Sequence, residues 1–485
     1  MPVFWIVLIV LALGAAGYVV GRRGAVRSAG GDTRVLHSLP GYHGTNVFIY
    51  TAVPALLVLA CWLLLQPMVI QSTIGGRIPD SAIPENSTRG LVMSDVRRMV
   101  GAIDAAVATG RLAEGRLAST VDVETLRTSL DEAGVPMAGA ARPEVLETAR
   151  AYRNLAGTGN MLMAVVVLGL AAGGLAFSIR RVGRDFRARN AVERGILALL
   201  ILASTIAILT TAGIVASLVF ETMEFFRMYP WQDFLFGLTW SPQFRGNSQL
   251  GMLPLLWGTL YVSFIALLVA VPVGLFAAIY MSEYASRRFR SVAKPLIEIL
   301  AGIPTIVYGL FALVTVGPLL RDYFARPMGL GESSSSVMTA GLVMGIMLIP
   351  FVSSLSDDII NAVPQSLRDG SLGLGATKSE TIRQVIVPAA LPGIIGAILL
   401  AASRAIGETM IVVLGAGAAA RLDLNPFEAM TTITVKIVGQ LTGDTDFGSP
   451  ETLVAFALGL TLFVITLALN ILALYIVRKY REQYE

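Results

Sequence analysis

The chain has 485 residues, of which 55% are hydrophobic and only 14% charged, with a mean hydropathy of +0.70, where a soluble protein carries roughly 25% charged residues. That composition excludes a cytosolic enzyme, because the apolar residues gather into runs such as Val3–Val20 and Leu253–Met281, each near the roughly 20 residues that cross a bilayer. The formal charge of +4, from 37 Lys+Arg against 33 Asp+Glu, raises the question of nucleic acid or acidic partners, and the placement of the cations answers it: they mark topology, and no nucleic acid is expected.

The first apolar run has no Lys or Arg before it, and Arg22 and Arg23 follow it. This reverses the charge order of a cleavable signal peptide, so a retained first span with its N-terminus outside is expected. Hydropathy predicts nine spans, at about 3–20, 46–66, 159–179, 195–220, 252–281, 295–319, 337–360, 389–418 and 452–477. Cys61, the only cysteine, lies inside the second, which excludes an intrachain disulfide and a cysteine-based metal cluster. His37 and His43 share a short loop with no carboxylate at ligand spacing, so neither a metal nor a cofactor is expected.

Basic residues alternate from side to side. The segments 21–45, 180–194, 282–294, 361–387 and the tail hold clusters such as Arg180, Arg181, Arg184, Arg187, Arg189 and Arg194, and the positive-inside rule places them in the cytoplasm. Residues 71–157 interrupt this pattern with mixed charges and helix signals: Ser94 before Asp95–Ala108, Val121–Ala133 ahead of Gly134, and Pro143 opening a run through Ala156. They read as a small helical external domain that packs on the membrane part or touches a partner. The expected organisation is an all-α polytopic membrane protein. Two N-terminal spans occupy 1–70, the external domain 71–157, a further span, a basic loop and the first core span 158–250, and the remaining core 251–485.

No G-x-x-x-x-G-K-[ST] phosphate loop is present in the sequence. The nearest approach, Gly375-Ala-Thr-Lys378-Ser379, has two residues between Gly and Lys and no strand before it. The chain is therefore not expected to be an enzyme. Gly415-Ala-Gly417-Ala-Ala-Ala420 satisfies a dinucleotide pattern but ends a span instead of opening a helix after a strand, and reads as close packing or a turn. Gly341-x-x-x-Gly345 is the spacing that lets membrane helices approach.

Within 361–388, Pro364 suits a first helical position, Gly375 a left-handed close, and Thr377-x-x-Glu380 a capping box opening a second helix. The spacing of Asp369-Gly370-Ser371, Gly375, Val385, Val387 and Pro388 resembles the coupling loop of ABC importer permeases, E-A-A-x3-G-x9-I-x-L-P. Leu253-Pro-Leu-Leu-Trp-Gly-Thr-Leu260, Glu298-Ile-Leu-Ala-Gly-Ile-Pro-Thr-Ile-Val-Tyr-Gly-Leu310, Ile349-Pro-Phe351 and Ser403-Arg-Ala-Ile-Gly-Glu-Thr-Met410 together resemble the phosphate-specific ABC transporter permeases, PstC-like more than PstA-like. The resemblance covers roughly 250–480. It implies a permease core in the last six spans, in a bacterial inner membrane. It also implies inorganic phosphate as cargo, a PstA-like second permease, two ATP-binding subunits and an external phosphate-binding protein. Arg368, Asp369, Gly370, Ser371, Gly375, Ala376, Thr377 and Pro388 would then form the loop that docks on the ATPase. Rival readings are a permease for phosphonate, sulfate or molybdate, an ion-coupled secondary transporter, and a membrane regulator that senses phosphate.

Arg404 is the one Lys or Arg within a predicted span, where a central Arg costs ~2.5–3.5 kcal/mol and normally faces a partner or an aqueous path. Glu408 follows at i+4, so on a continuous helix the two would share a face. Either they form a structural ion pair or they contact the cargo, and the resemblance implies the latter. Glu298 either lines the pathway or faces headgroups, and Thr305 follows a proline that frees backbone groups. If 71–157 is external, a cysteine at Ser119 in a Cys61→Ser background is labelled in intact cells by an impermeant thiol reagent. Labelling only after lysis reverses the orientation.

Overall fold

The computed structural model describes residues 2–75, 89–108, 143–243, 248–442 and 449–481. The expected helix Val121–Ala133 and the labelling position Ser119 lie outside the described residues. The chain divides into two compact units, Met1–Ile206 and Ala207–Glu485, and among the described residues nine helices are long and apolar enough to cross a membrane.

The first unit holds α1 (Val3–Ser28), α2 (Pro40–Gly75), α3 (Arg89–Ala108), α4 (Pro143–Arg180) and the start of α5 (Ala188–Met228). The buried residues of α1 are Ile6, Val10, Gly14, Gly17, Gly21 and Ala25, recurring every three or four positions. Small side chains on one stripe let backbones come together where lipid offers no hydrophobic drive. A Cβ on Gly174 would stand 2.1 Å from the Tyr50 carbonyl oxygen. The expected helix from Pro143 and the third span prove to be one helix, α4. Its overhanging end meets that of α2 beneath α3, through Ile70, Ile74 and Met93 with Ala151, Tyr152 and Ala156, and Arg153 pairs with Asp104 at 2.7 Å. The helix expected after Ser94 begins earlier, at Arg89.

The second unit is built on α10 (Val337–Ala362), whose apolar window is 67% buried against 39% or less for every other candidate span. It lies along α7 (Leu253–Ile279), with Gly341 against Ile265 and Gly345 against Val269, as the small-residue spacing predicts. Before α7 come a short helix, α6 (Trp231–Phe236), and a two-residue strand pair, β1 (Trp240–Ser241) with β2 (Gln249–Leu250), antiparallel with Trp240 opposite Leu250.

Two expected spans are corrected. The span 295–319 is divided at Pro304, which disfavours helix at the preceding residue. Ile303 is extended at φ −72°, ψ 128°, and the crossing helix is α9, Thr305–Ala325. What precedes it, α8 (Arg287–Gly302), carries Phe289, Val292, Leu296 and Ile299 exposed at helical spacing and directs Arg290 and Lys294 to Asp357. This is the pattern of a helix lying in the interface instead of crossing it. The span 389–418 ends early: α12 (Lys378–Ile406) closes on Gly407, and a short α13 (Met410–Gly415) follows a non-helical Gly407–Thr409. Between α10 and α12 stands α11 (Gln365–Gly373). After α13 come α14 (Ile433–Thr442) and α15 (Pro450–Arg481).

Candidate functional site: the coupling hairpin and the broken helix

Local chemistry shapes the segment from Pro364 to Pro388. Pro364 is the N-cap of α11 at φ −56°, ψ 137°, one position before the first helical residue expected of it. At the other end, the Ala376 N–H donates to the Ser371 carbonyl at 3.2 Å and the Gly375 N–H to that of Leu372 at 3.0 Å, the paired bonds of a Schellman close. Gly375 has φ +90°, and space is not the issue, since nothing lies within 4 Å of where its Cβ would be. Thr377 and Glu380 complete the expected capping box. After its first turn, Lys378–Thr381, α12 passes through a π-turn at Ile382–Ile386 just before Pro388, which has no N–H to give.

Tertiary contacts hold this hairpin from behind. Arg368 forms a close ion pair with Glu283, in the π-turn Tyr280–Tyr284 that closes α7, and donates to the Ile360 carbonyl at 2.6 Å. The side chains of Arg368 and Glu283 are 13% and 9% exposed. Arg368, read from sequence as part of a docking surface, is therefore a strut directed inward. The Ser371 and Thr381 hydroxyls are 3.0 Å apart, and the Lys378 ammonium lies 5.0 Å over the Tyr284 ring. Asp369, Gly370, Gly375, Thr377 and Pro388 remain exposed, and Ser371 and Ala376 half-buried. Leu374, at the tip, is 92% exposed.

A second polar cluster escaped the sequence reading. Asp357 on α10 is fully buried and accepts from Arg290 at both oxygens (2.9 Å each), from the Lys294 ammonium at 2.8 Å, and from the Asn361 amide at 3.0 Å. The hydrogen bond to Asp357 is the largest influence on Lys294 and holds its pKa above the usual range against partial burial. The available signal was an aspartate at the end of a predicted span, since an intramembrane carboxylate calls for a named partner just as Arg404 does.

Around the broken helix, Arg404 in the last turn of α12 is exposed, and its guanidinium lies 5.7 Å from the centroid of the Phe351 ring. Among the described residues no ion pair joins it to Glu408. The i+4 relation requires a continuous helix, and the helix stops at Ile406. Glu408 instead turns one oxygen to the Met410 N–H at 3.1 Å, and its carbonyl accepts from the Thr434 hydroxyl at 2.9 Å. Thr434, at the start of α14, is a residue the sequence reading missed. Thr305 opens α9, half-buried, and Glu298 is exposed on α8. The structure brings neither into hydrogen-bonding contact with Arg404 or Glu408. Phe351 and Ile303 pack on the core formed by Tyr308, Ala312, Ala401, Ala405, Ile411 and Val412, so the break at 407–409 borders the junction of α9, α10, α12 and α13.

Residues 7–176 match a family described as phosphate ATP-binding cassette transporter, and residues 270–482 match the binding-protein-dependent transport system inner membrane component. A probable ABC transporter permease protein of Bacillus subtilis, YqgH, is 35% identical over 244 residues, 50% of this chain and 77% of that protein. The phosphate transport system permease protein PstC of Mesorhizobium japonicum is 33% identical over 266 residues, covering 51% and 78%, and that of Haemophilus influenzae is 33% identical over 290 residues, covering 56% and 88%. This chain belongs to the PstC-like family of ABC transporter permeases. A solved structure of a bacterial alginate ABC transporter in complex with an alginate-bound periplasmic protein aligns at TM-score 0.41 and 18% identity, over 61% of this chain and 98% of that one.

As a PstC-like permease the protein is a multi-pass component of the cytoplasmic membrane and not itself an enzyme, with ATP-binding and substrate-binding partners. In this setting the Asp357 cluster and the Arg368 strut brace the hairpin side of the permease. Asp357→Ala strands two cations against a fully buried position. Breaking such a pair costs about 3–5 kcal/mol when every partner is buried, and about 2–3 kcal/mol here, because Arg290 and Lys294 are each about a third exposed and can turn to water. The expected result is a lowered unfolding temperature of the purified protein, with Asp358→Ala near wild type.

Proposed function

We propose that this permease passes inorganic phosphate, delivered by an external phosphate-binding protein, along a path at the broken helix, with Arg404 as the anion's cationic partner and Glu408 as the acceptor of its P–OH hydrogen bond. The observation that carries this reading is an exposed arginine beside non-helical backbone within a crossing segment, with no carboxylate partner among the described residues. Broken helices are tolerated at membrane depth where they line a cavity, and such breaks form substrate sites. Phosphate near neutral pH carries one or two negative charges and at least one P–OH. Arg404 offers a planar fork of donors to the charge. One Glu408 oxygen is engaged by Met410, and the other can accept from the P–OH, which fully deprotonated sulfate lacks. Thr305 and Glu298 complete the proposed path as polar contacts nearer the hairpin side.

The partners of this reading are a PstA-like second permease and two ATP-binding subunits. The coupling hairpin would dock in the cytoplasm on one of these through its exposed face: Asp369, Gly370, and the apolar tip at Leu372 and Leu374, 49% and 92% exposed. Residues 71–157 would then be external. Gly375→Val puts a β-branched side chain at φ +90°, which is strongly disfavoured. Membrane abundance should stay normal while ATPase copurification and phosphate uptake fall together. Normal uptake at normal abundance removes this turn from the coupling element.

For the path itself, uptake normalised to abundance is expected to fall to background in Arg404→Gln, to survive in part in Arg404→Lys, and to be spared more in Glu408→Gln than in Arg404→Gln. The double variant should stay inactive, since no ion pair is there to be rescued. Recovery in the double variant overturns the path and restores the structural-pair reading.

A further inference from the structure

Within the unit Met1–Ile206, a cavity of about 380 Å³ opens between α2, the end of α4 and the start of α5. Its lining includes Asn46, Ser178, Arg181, Phe186 and Arg194. At about 30 Å³ per water it holds roughly a dozen waters' volume, room for a polyatomic ion and an attached stem.

Two cations border this space. The Arg181 guanidinium lies 4.1 Å over the Phe177 ring, a lining residue of the same cavity, so the aromatic face holds it in place without neutralising it. Arg194 spends its Nε–H on the Asn190 carbonyl at 3.3 Å, which leaves its terminal N–H groups for a ligand. Among the described residues neither arginine has a carboxylate partner, and the nearby Glu193 is taken by Arg189 at 2.7 Å. The floor is polar and buried. Ser178 is 1% exposed and its hydroxyl donates to the Gly174 carbonyl at 2.7 Å. Asn46 is 2% exposed and its Oδ1 has no hydrogen-bond partner. A buried acceptor left unpaired is costly and calls for an explanation.

Two unpaired guanidinium groups at the mouth and an unsatisfied acceptor at the floor fit an anion that also carries a hydroxyl. We propose that this cavity binds a hydroxyl-bearing phosphate group, either free inorganic phosphate or the glycerol-phosphate headgroup of an anionic phospholipid. The arginines meet the phosphate oxygens, and Asn46 Oδ1 accepts from the P–OH of the free ion or from the glycerol hydroxyl of the lipid. The segment carries six arginines between 180 and 194, and basic pockets between membrane helices on the cytoplasmic side are where anionic headgroups are held. This inference stands apart from the path at Arg404, since it rests on residues of the other unit alone.

The test uses the full chain with the subunits that copurify. One arm counts retained phosphatidylglycerol by native mass spectrometry from mixed vesicles with phosphatidylcholine. The other follows the unfolding temperature of delipidated protein with inorganic phosphate. Arg181→Gln/Arg194→Gln is expected to lose the effect by about tenfold or more, as removal of charge-assisted bonds predicts, and Asn46→Leu, which removes the acceptor, is expected to abolish the preference for the hydroxyl-bearing ligand. Arg184→Gln/Arg187→Gln, in the same basic segment but outside the cavity lining, should retain it. Response in the lipid arm alone assigns a headgroup, and response in the phosphate arm alone assigns the free ion. Wild-type protein supplies a measurement that needs no variant: it should prefer phosphatidylglycerol to phosphatidylmethanol, or phosphate to sulfate, because each second ligand lacks the hydroxyl. Absence of both preferences, or equal loss in the control pair, overturns the proposal.

Discussion

A hydrocarbon slab offers no water to an unpaired N–H or C=O, so backbone that crosses it must satisfy itself within helices. The architecture follows from that constraint, including the places where the helix gives way. Pro304 and Gly407 end helices, and both breaks border the core where α9, α10, α12 and α13 meet. Glu408 and Thr434 repair the second break by supplying an acceptor to Met410 N–H and a donor to the Glu408 carbonyl. These two residues keep tolerable an interruption that lies one turn along the chain from Arg404.

Charge follows the same economy. Asp357 is wholly buried, yet its two carboxylate oxygens receive Arg290, Lys294 and Asn361, so the cost of burial is met by hydrogen bonds from three side chains. In doing so it ties the interfacial α8 to the central α10. Arg368 performs the matching task for the hairpin, joining it to the end of α7 through Glu283 and to the end of α10 through the Ile360 carbonyl. The hairpin is thereby tied to the ends of α7 and α10. The apolar tip at Leu374 stays exposed.

Features set by near neighbours in the chain were legible in advance. The nine apolar runs, the turn at Gly375, the Thr377–Glu380 capping box and the close approach at Gly341 and Gly345 depend on hydropathy, conformational preference or spacing within a few residues. Arg404 stood out because a cation in an apolar run is rare. The pairing of Arg404 with Glu408 was an extrapolation of helical spacing across a Gly-Glu-Thr step, and the backbone leaves the helix there. The first part of span 295–319 misled for a related reason: hydropathy averaged over α8 and α9 hides the fact that the apolar residues of α8 occupy one side only.

The sequence by itself determined the class of protein, its nine apolar runs and the local form of the Pro364–Pro388 hairpin, because water, lipid and backbone sterics act on each stretch independently of the others. Only the tertiary structure decided that Asp357 meets Arg290 and Lys294, 67 and 63 residues away, that Arg368 faces inward to Glu283, 85 residues away, and that Asn46 shares a cavity with Arg181 and Arg194. Each of these depends on which faces of distant helices pack together. That choice belongs to the whole fold, since no stretch of chain carries its partner's position within its own residues.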